Sequence, residues 1–300
     1  IMECRENERI CVRPRKWRKP RLLLRFVGER MPTSESGKVI AIASGKGGTG
    51  KTTLAASIGA ALALLGKKVV IVDADLGMAD LGLYLGLEKS SITLHEVLAG
   101  EASVEQALYE GPAGCQIVPS GLSLSGFSRA NPQRLKEVAE ELRERFEFII
   151  LDCAPGLSRE STVPLTVSDE VLIVVTPDLA SLADALRVKM MCDALQARVG
   201  GVVVNRTGLS KTELAPREVG SMLGLEILAT IPEDDEIRKS ANLKVPVVLR
   251  KKDSPAALAH FGLAQRIARI SGEGSPSVPA APKSSEAEKK PSKLRSMFSR

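Results

Sequence analysis

Between Lys38 and Ile270 the chain alternates short runs of β-branched and other apolar residues with longer stretches whose apolar positions recur at helical spacing. The short runs predict strands at Val39–Ala43, Lys68–Val72, Gln116–Val118, Phe148–Leu151, Val171–Thr176, Gly201–Asn205 and Glu226–Ile231, with a further one at Val247–Leu249. The longer stretches predict helices at Lys51–Leu65, Pro132–Arg145, Leu179–Ala197, Ala215–Leu223, Glu233–Asn242 and Pro255–Ile270, several opened by Pro or closed by Gly. Strands that are apolar almost throughout are strands buried on both faces. The alternation therefore predicts an α/β fold: one domain over residues 38–270, built on a twisted, mostly parallel sheet with helices on both faces.

Composition changes the picture mainly at the two ends. The chain has 300 residues, 44% hydrophobic and 26% charged, which suits one large domain with flexible ends. Its net charge of +6 is concentrated at the front: residues 1–30 hold ten Lys/Arg and four acids, which leaves 32 of each over residues 31–300. Basicity is thus weak evidence for a nucleic-acid partner. Residues 1–37 read as a basic extension, and Met31-Pro32-Thr33 offers an alternative translation start just ahead of the first strand. After Ser271 the chain turns to Gly, Ser, Pro, Ala, Glu and Lys, too poor in apolar residues to offset its ordering entropy, so 271–291 is expected to be a disordered linker ahead of a separate tail at 292–300. No apolar run reaches the ~18 residues of a membrane span, which points to a cytoplasmic chain. The cysteines (Cys4, Cys11, Cys115, Cys153, Cys192) are odd in number and form no Cys-x-x-Cys pair, so neither a disulfide framework nor a zinc site is indicated. His95 and His260 are expected to be surface or cap residues on helices.

The chemistry centres on Ser44-Gly45-Lys46-Gly47-Gly48-Thr49-Gly50-Lys51-Thr52-Thr53, between the first strand and an Ala/Leu-rich helix. Gly45, Gly47 and Gly50 fit the dinucleotide fingerprint, with Asp73 near the place of a ribose-binding acid. The same stretch fits Gly-x-x-x-x-Gly-Lys-Thr in full from Gly45 to Thr52, and the added Lys-Thr separates the two readings. Triphosphate chemistry needs a cation at the β- and γ-phosphates, the role of Lys51, and a hydroxyl ligand for Mg²⁺, the role of Thr52; a dinucleotide site needs neither. Two apolar strands end in the acids such a site requires, Asp73 and Asp152, of which Asp152 is the better placed to hold the metal through its water shell. Asp75, two residues beyond Asp73, would orient the attacking water. Asp80 reads as a helix cap.

Lys46 has no role in cradling a phosphate already served by Lys51. The string Lys46-Gly47-Gly48-Thr49-Gly50-Lys51-Thr52-Thr53 resembles the deviant Walker A loop of the ParA/MinD superfamily of P-loop ATPases. The resemblance continues through Asp73-Ala74-Asp75-Leu76-Gly77 (switch I), Val118-Pro119-Ser120-Gly121, Asp152-Cys153-Ala154-Pro155-Gly156 (switch II), Val204-Asn205-Arg206 and Ile231-Pro232-Glu233-Asp234, and is strongest toward the MinD branch. It implies a sandwich homodimer on ATP in which Lys46 reaches the partner subunit's phosphates. It also implies an adenine site at Asn205 and Pro232, Glu233 and Asp234, favouring ATP over GTP, and slow hydrolysis until an activating partner protein engages. Two positions depart from the family: Pro155 stands three residues after Asp152 rather than two, and Asp80 replaces a common Asn. Iron–sulfur members hold a cluster on paired cysteines; Cys115 and Cys153 are the only pair at a suggestive separation, and a ligand beside Asp152 would crowd the Mg²⁺ site.

In the tail, Leu294, Met297 and Phe298 fall on one helical face, with Lys293, Arg295 and Arg300 available to anionic head groups. Chains of the MinD branch end similarly. The resemblance therefore implies a peripheral protein at the inner face of the cell membrane, anchored through residues 292–300. A ParA-like chain partitioning DNA, or an ATP-binding scaffold without hydrolysis, are the alternatives. The neutral charge over 31–300 weighs against DNA.

Overall fold

The computed structural model describes residues 36–270. The basic arm and the alternative start at Met31, the linker 271–291 and the tail 292–300 lie outside the described residues. Within them the elements run β1 (Lys38–Ala43), α1 (Lys51–Leu64), β2 (Val69–Ala74), α2 (Asp80–Leu85), α3 (Leu94–Ala99), β3 (Tyr109–Glu110), β4 (Gln116–Val118), α4 (Leu124–Arg129) and α5 (Leu135–Arg143). The second half adds β5 (Phe148–Cys153), α6 (Arg159–Val167), β6 (Glu170–Val175), α7 (Leu179–Leu195), β7 (Val199–Thr207), α8 (Pro216–Leu223), β8 (Ile227–Pro232), α9 (Asp235–Asn242), α10 (Val247–Arg250) and α11 (Pro255–Ile270).

The strands form one eight-stranded sheet in the order β3-β4-β2-β5-β1-β6-β7-β8, parallel throughout except for β3 against β4. Alternation along each strand divides the core into two layers. Val39, Ala41, Val70 and Val72 face one side, packed with Leu98 of α3 and Leu142 of α5. Ile40, Ile42, Val69 and Ile71 face the other, against Leu54, Ile58 and Leu62 of α1 and Leu263 of α11. Each such large side chain contributes on the order of 1.5–3 kcal/mol by leaving water. This is the α/β architecture expected from the pattern, and it brings the carboxyl ends of β1, β2 and β5 to one edge, where ligands of open α/β sheets bind.

Three expectations are corrected. Val247–Leu249 is not a strand but part of α10. Pro246 precedes it without an N–H, and Val247 and Val248 are buried against Ala60 and Ala257 rather than paired in the sheet. His95 and His260 are not surface residues: each is only 1% exposed, on α3 and α11 respectively. Burial lowers His260 to about 4, keeping it neutral. The predicted helix at Pro132–Arg145 begins as a 3-10 turn over Pro132–Arg134 before α5.

Candidate functional site

Residues Ser44–Gly50 leave β1 and turn into α1, whose N-cap is Gly50 at φ +94°, a left-handed conformation that costs glycine little. A methyl group at Gly50 would also collide with the Asn205 side-chain amide. At Gly45 a Cβ would stand 2.5 Å from the Asp184 carbonyl oxygen, so the loop lies directly on α7. At Gly47 and Gly48 the space a Cβ would enter is open, so the loop backbone there is accessible. No acidic residue occupies the first turn of α1, so its amides and dipole remain available to an anion.

Lys51 is 7% exposed and donates to the Ser44 hydroxyl at 2.9 Å. Burial lowers its pKa, opposed by the nearby Asp152, Cys153, Asp75 and Asp80. Asp73 and Asp152 are register partners on adjacent strands, so two fully buried carboxylates lie side by side. Burial raises Asp152 to about 7 even though Thr52 and Lys51 pull it back, and Asp73 is raised by burial and then by Asp152. Asp73 also accepts the amides of Asp75 and Leu81, both at 3.3 Å. One Asp152 oxygen, Oδ1, is buried without a hydrogen-bond partner among the described residues. A buried carboxylate that takes a hydrogen bond from the Thr52 side chain and keeps its other oxygen free is a donor set that suits a hard divalent cation, so the residues present fit Mg²⁺. Asp75 follows in the loop, half-buried, its carboxylate accepting the Met78 amide at 2.9 Å.

Other predicted residues sit close by but are held differently. Asn205, at the carboxyl end of β7, donates its amide to the Thr49 carbonyl at 2.7 Å and so braces the loop from behind. Thr53 follows Thr52 in the first turn of α1. Pro232 ends β8, Glu233 pairs with Arg206 at 2.8 Å, and Asp234 caps α9 while also accepting the Ala256 amide at 3.2 Å. Lys46 does not point into its own cradle. Its ammonium pairs at 3.2 Å with Asp178, the N-cap of α7, which also accepts from Thr176 and Ser181. Sequence reasoning missed Asp178, although an Asp opening a helix is a recognisable capping signal; its contact with Lys46 spans 132 residues. Cys115 and Cys153 are buried in opposite core layers, where burial raises both thiols, so they do not form a shared ligand pair.

A backbone-lined cradle at a helix N-terminus, a buried lysine and a strand-end carboxylate beside a threonine hydroxyl define a P-loop nucleoside triphosphatase. The family model described as an AAA domain matches residues 37–199, and that described as a NUBPL iron-transfer P-loop NTPase matches residues 133–268. The chain belongs to the ParA/MinD family of P-loop ATPases and is MinD-like within it. An uncharacterized ATP-binding protein of Methanocaldococcus jannaschii is 41% identical over 228 residues, covering 76% of this chain and 86% of that protein. The septum site-determining protein MinD of Pyrococcus horikoshii, solved with Mg-ADP, is 35% identical at a TM-score of 0.75, covering 79% of this chain and 98% of that one. MinD in a MinC:MinD cell division complex from Aquifex aeolicus is 32% identical at a TM-score of 0.71, covering 81% and 99%.

Proposed function

We propose that this chain is an ATP-hydrolysing switch that dimerises on ATP, attaches to a membrane surface in that state and leaves it after hydrolysis. The observation that carries the catalytic part is the burial of both Lys51 and Asp152 beside a loop whose Gly47–Gly48 backbone is open, with Asp152 Oδ1 lacking a hydrogen-bond partner among the described residues. In this reading the loop amides and Lys51 hold the β- and γ-phosphates of ATP, while Asn205 and the Pro232–Asp234 segment face the adenine. Mg²⁺ would be held by Thr52 and Asp152, with Asp73 behind them, and would supply neutralisation of the charge developing on the phosphates. Asp75 orients the attacking water, and Lys46 of each copy completes the site of the other, as the family resemblance implies. The MinC:MinD complex supports the binding of a partner protein, and an activating partner is what the family resemblance implies.

Hydrolysis and dimerisation are separable by mutation. Asp75→Ala is expected to bind ATP like the parent and to release no phosphate, read by filter binding and labelled-phosphate release; parent-rate release would sink the water-orienting role. Lys46→Ala should weaken ATP-dependent dimerisation, measured by light scattering, more than ATP affinity. The Lys46–Asp178 pair is partly exposed and worth only ~0.2–1 kcal/mol, so Asp178→Ala is expected to ease dimerisation by about 1.5- to 5-fold.

Membrane attachment rests on the tail. One short anchor binds marginally, whereas two tethered tails on a dimer gain roughly 10²-fold or more through effective concentration. Deleting residues 292–300 is expected to leave turnover in solution intact and to remove ATP-dependent co-sedimentation with anionic liposomes. Liposome binding retained by the truncation refutes the anchor, and ATP-dependent binding to duplex DNA instead points to the nucleoid as the surface.

A further inference from the structure

His95 is a buried imidazole that the nucleotide chemistry does not use, and its contacts lead to the Asp73–Gly77 loop. The Thr93–Glu96 capping box fixes the first turn of α3: Thr93 accepts the His95 amide at 3.3 Å, and Glu96 accepts the Thr93 amide at 2.8 Å. From that turn Nε2 lies 3.0 Å from the Leu76 carbonyl oxygen and 3.3 Å from the Ser120 hydroxyl. A carbonyl oxygen only accepts, so the proton sits on Nε2 and is donated to Leu76. The other nitrogen, Nδ1, is buried without a hydrogen-bond partner among the described residues. It faces two glycines: a Cβ at Gly121 would stand 2.7 Å from Nδ1 and one at Gly126 3.0 Å from it, so the backbone there makes room for the ring. Phe127 packs its ring against His95 edge-on, with centroids 6.3 Å apart.

We propose that His95 is a positioning residue for hydrolysis, holding the loop that carries Asp75 through its hydrogen bond to the Leu76 carbonyl. The inference rests on the reading of Asp75 as the residue that orients water. The loop has two anchors. At its start Asp73 accepts the Asp75 amide; one residue beyond Asp75, His95 captures Leu76, whose side chain is itself only 5% exposed. The Asp75 carboxylate itself accepts the Met78 amide at 2.9 Å through Oδ1 and a further backbone hydrogen bond from Gly77, both within the same loop. Without the imidazole N–H, the buried Leu76 carbonyl loses its donor and the loop loses its second fixed point. Nucleotide binding is carried by other residues, from Ser44 to Thr53, so the loss is expected to fall on the hydrolytic step and not on ATP affinity.

The test compares His95→Leu, which removes the donor, with His95→Gln, which restores an N–H near the same position, in the full chain with Mg-ATP. Single-turnover phosphate release should fall on the order of 10- to 100-fold in His95→Leu and recover toward the parent in His95→Gln, with the Kd of a fluorescent ATP analogue unchanged in both. His95→Leu combined with Asp75→Ala should be no slower than Asp75→Ala alone. Parent-rate release by His95→Leu while Asp75→Ala is inactive overturns the role of His95 and leaves that of Asp75 intact. Parent-rate release by Asp75→Ala overturns the reading of Asp75 itself. Equal losses of release and of ATP affinity in both His95 variants overturn positioning in favour of a structural role. Should the variants fail to fold, ¹⁵N shifts of the parent's imidazole decide: the Nε2–H form is expected, and an Nδ1–H form overturns the contact to Leu76.

Discussion

Lys51→Ala is expected to abolish nucleotide binding under ordinary assay conditions, raising the Kd for Mg-ATP by on the order of 10²–10³-fold. Lys51 is 7% exposed, and among the described residues its ammonium donates to the neutral Ser44 hydroxyl. Burial lowers its pKa against the opposing pull of Asp152, Cys153, Asp75 and Asp80, and none of these aspartates forms a direct ion pair with it. A triphosphate would supply the missing counter-charge at short range, and truncating one member of a desolvated charged contact costs about 2–5 kcal/mol, tenfold per ~1.4 kcal/mol. Lys46, partly exposed and already paired, offers no substitute in the same subunit. Titration calorimetry decides the matter: a Kd within about threefold of the parent would mean that the loop amides alone hold the phosphates.

Asp152→Asn is expected to stabilise the nucleotide-free protein while destroying its Mg²⁺-dependent hydrolysis. Burial raises Asp152 from 3.8 to about 7, and the pull of Thr52 and Lys51 is already included in that balance. Between about pH 4 and pH 7 the folded chain keeps a proton that the unfolded chain has released. Stability contributed by this group is therefore present below its unfolded pKa and falls as pH rises, the loss being complete above about 7. Asparagine mimics the protonated acid at every pH. The variant should therefore exceed the parent by about 2–4 kcal/mol at pH 8, and the difference should vanish near pH 4. His260, lowered to about 4, acts in the opposite direction below about pH 6.5, but it is common to both proteins and cancels in the comparison. Urea unfolding at pH 5 and pH 8 checks the sign; a variant less stable than the parent at pH 8 would show that Asp152 is held charged by its surroundings. The stability given up is the cost of holding a buried carboxylate, one oxygen free, ready for a cation.

The site was readable in the sequence wherever its members are consecutive. Gly45 to Thr52 is a single local spacing between a strand and a helix, closed by the Lys-Thr that selects triphosphate chemistry, and Asp73 and Asp152 each end an apolar run whose strand character is local. The same locality explains the failures. The Val247–Leu249 run carries β propensity, but nothing in it says that no sheet edge is near, and α10 forms where Ala60 and Ala257 cover it. α3 is short, and its capping box at Thr93–Glu96 is legible yet predicts only a helix start, not what His95 touches.

By itself, then, the sequence determined the α/β alternation, the phosphate loop and the family, because period, spacing and residue chemistry are properties of neighbouring positions. Tertiary structure alone decided which distant groups meet: Asn205 behind Thr49 across 156 residues, Lys46 on Asp178 across 132, and His95 under Leu76 across 19. The physical reason is that strand order, not chain order, sets these distances. Placing β1 between β5 and β6 brings the loop against α7, and packing α3 beside β2 and β4 sets a buried imidazole beneath the loop that carries Asp75.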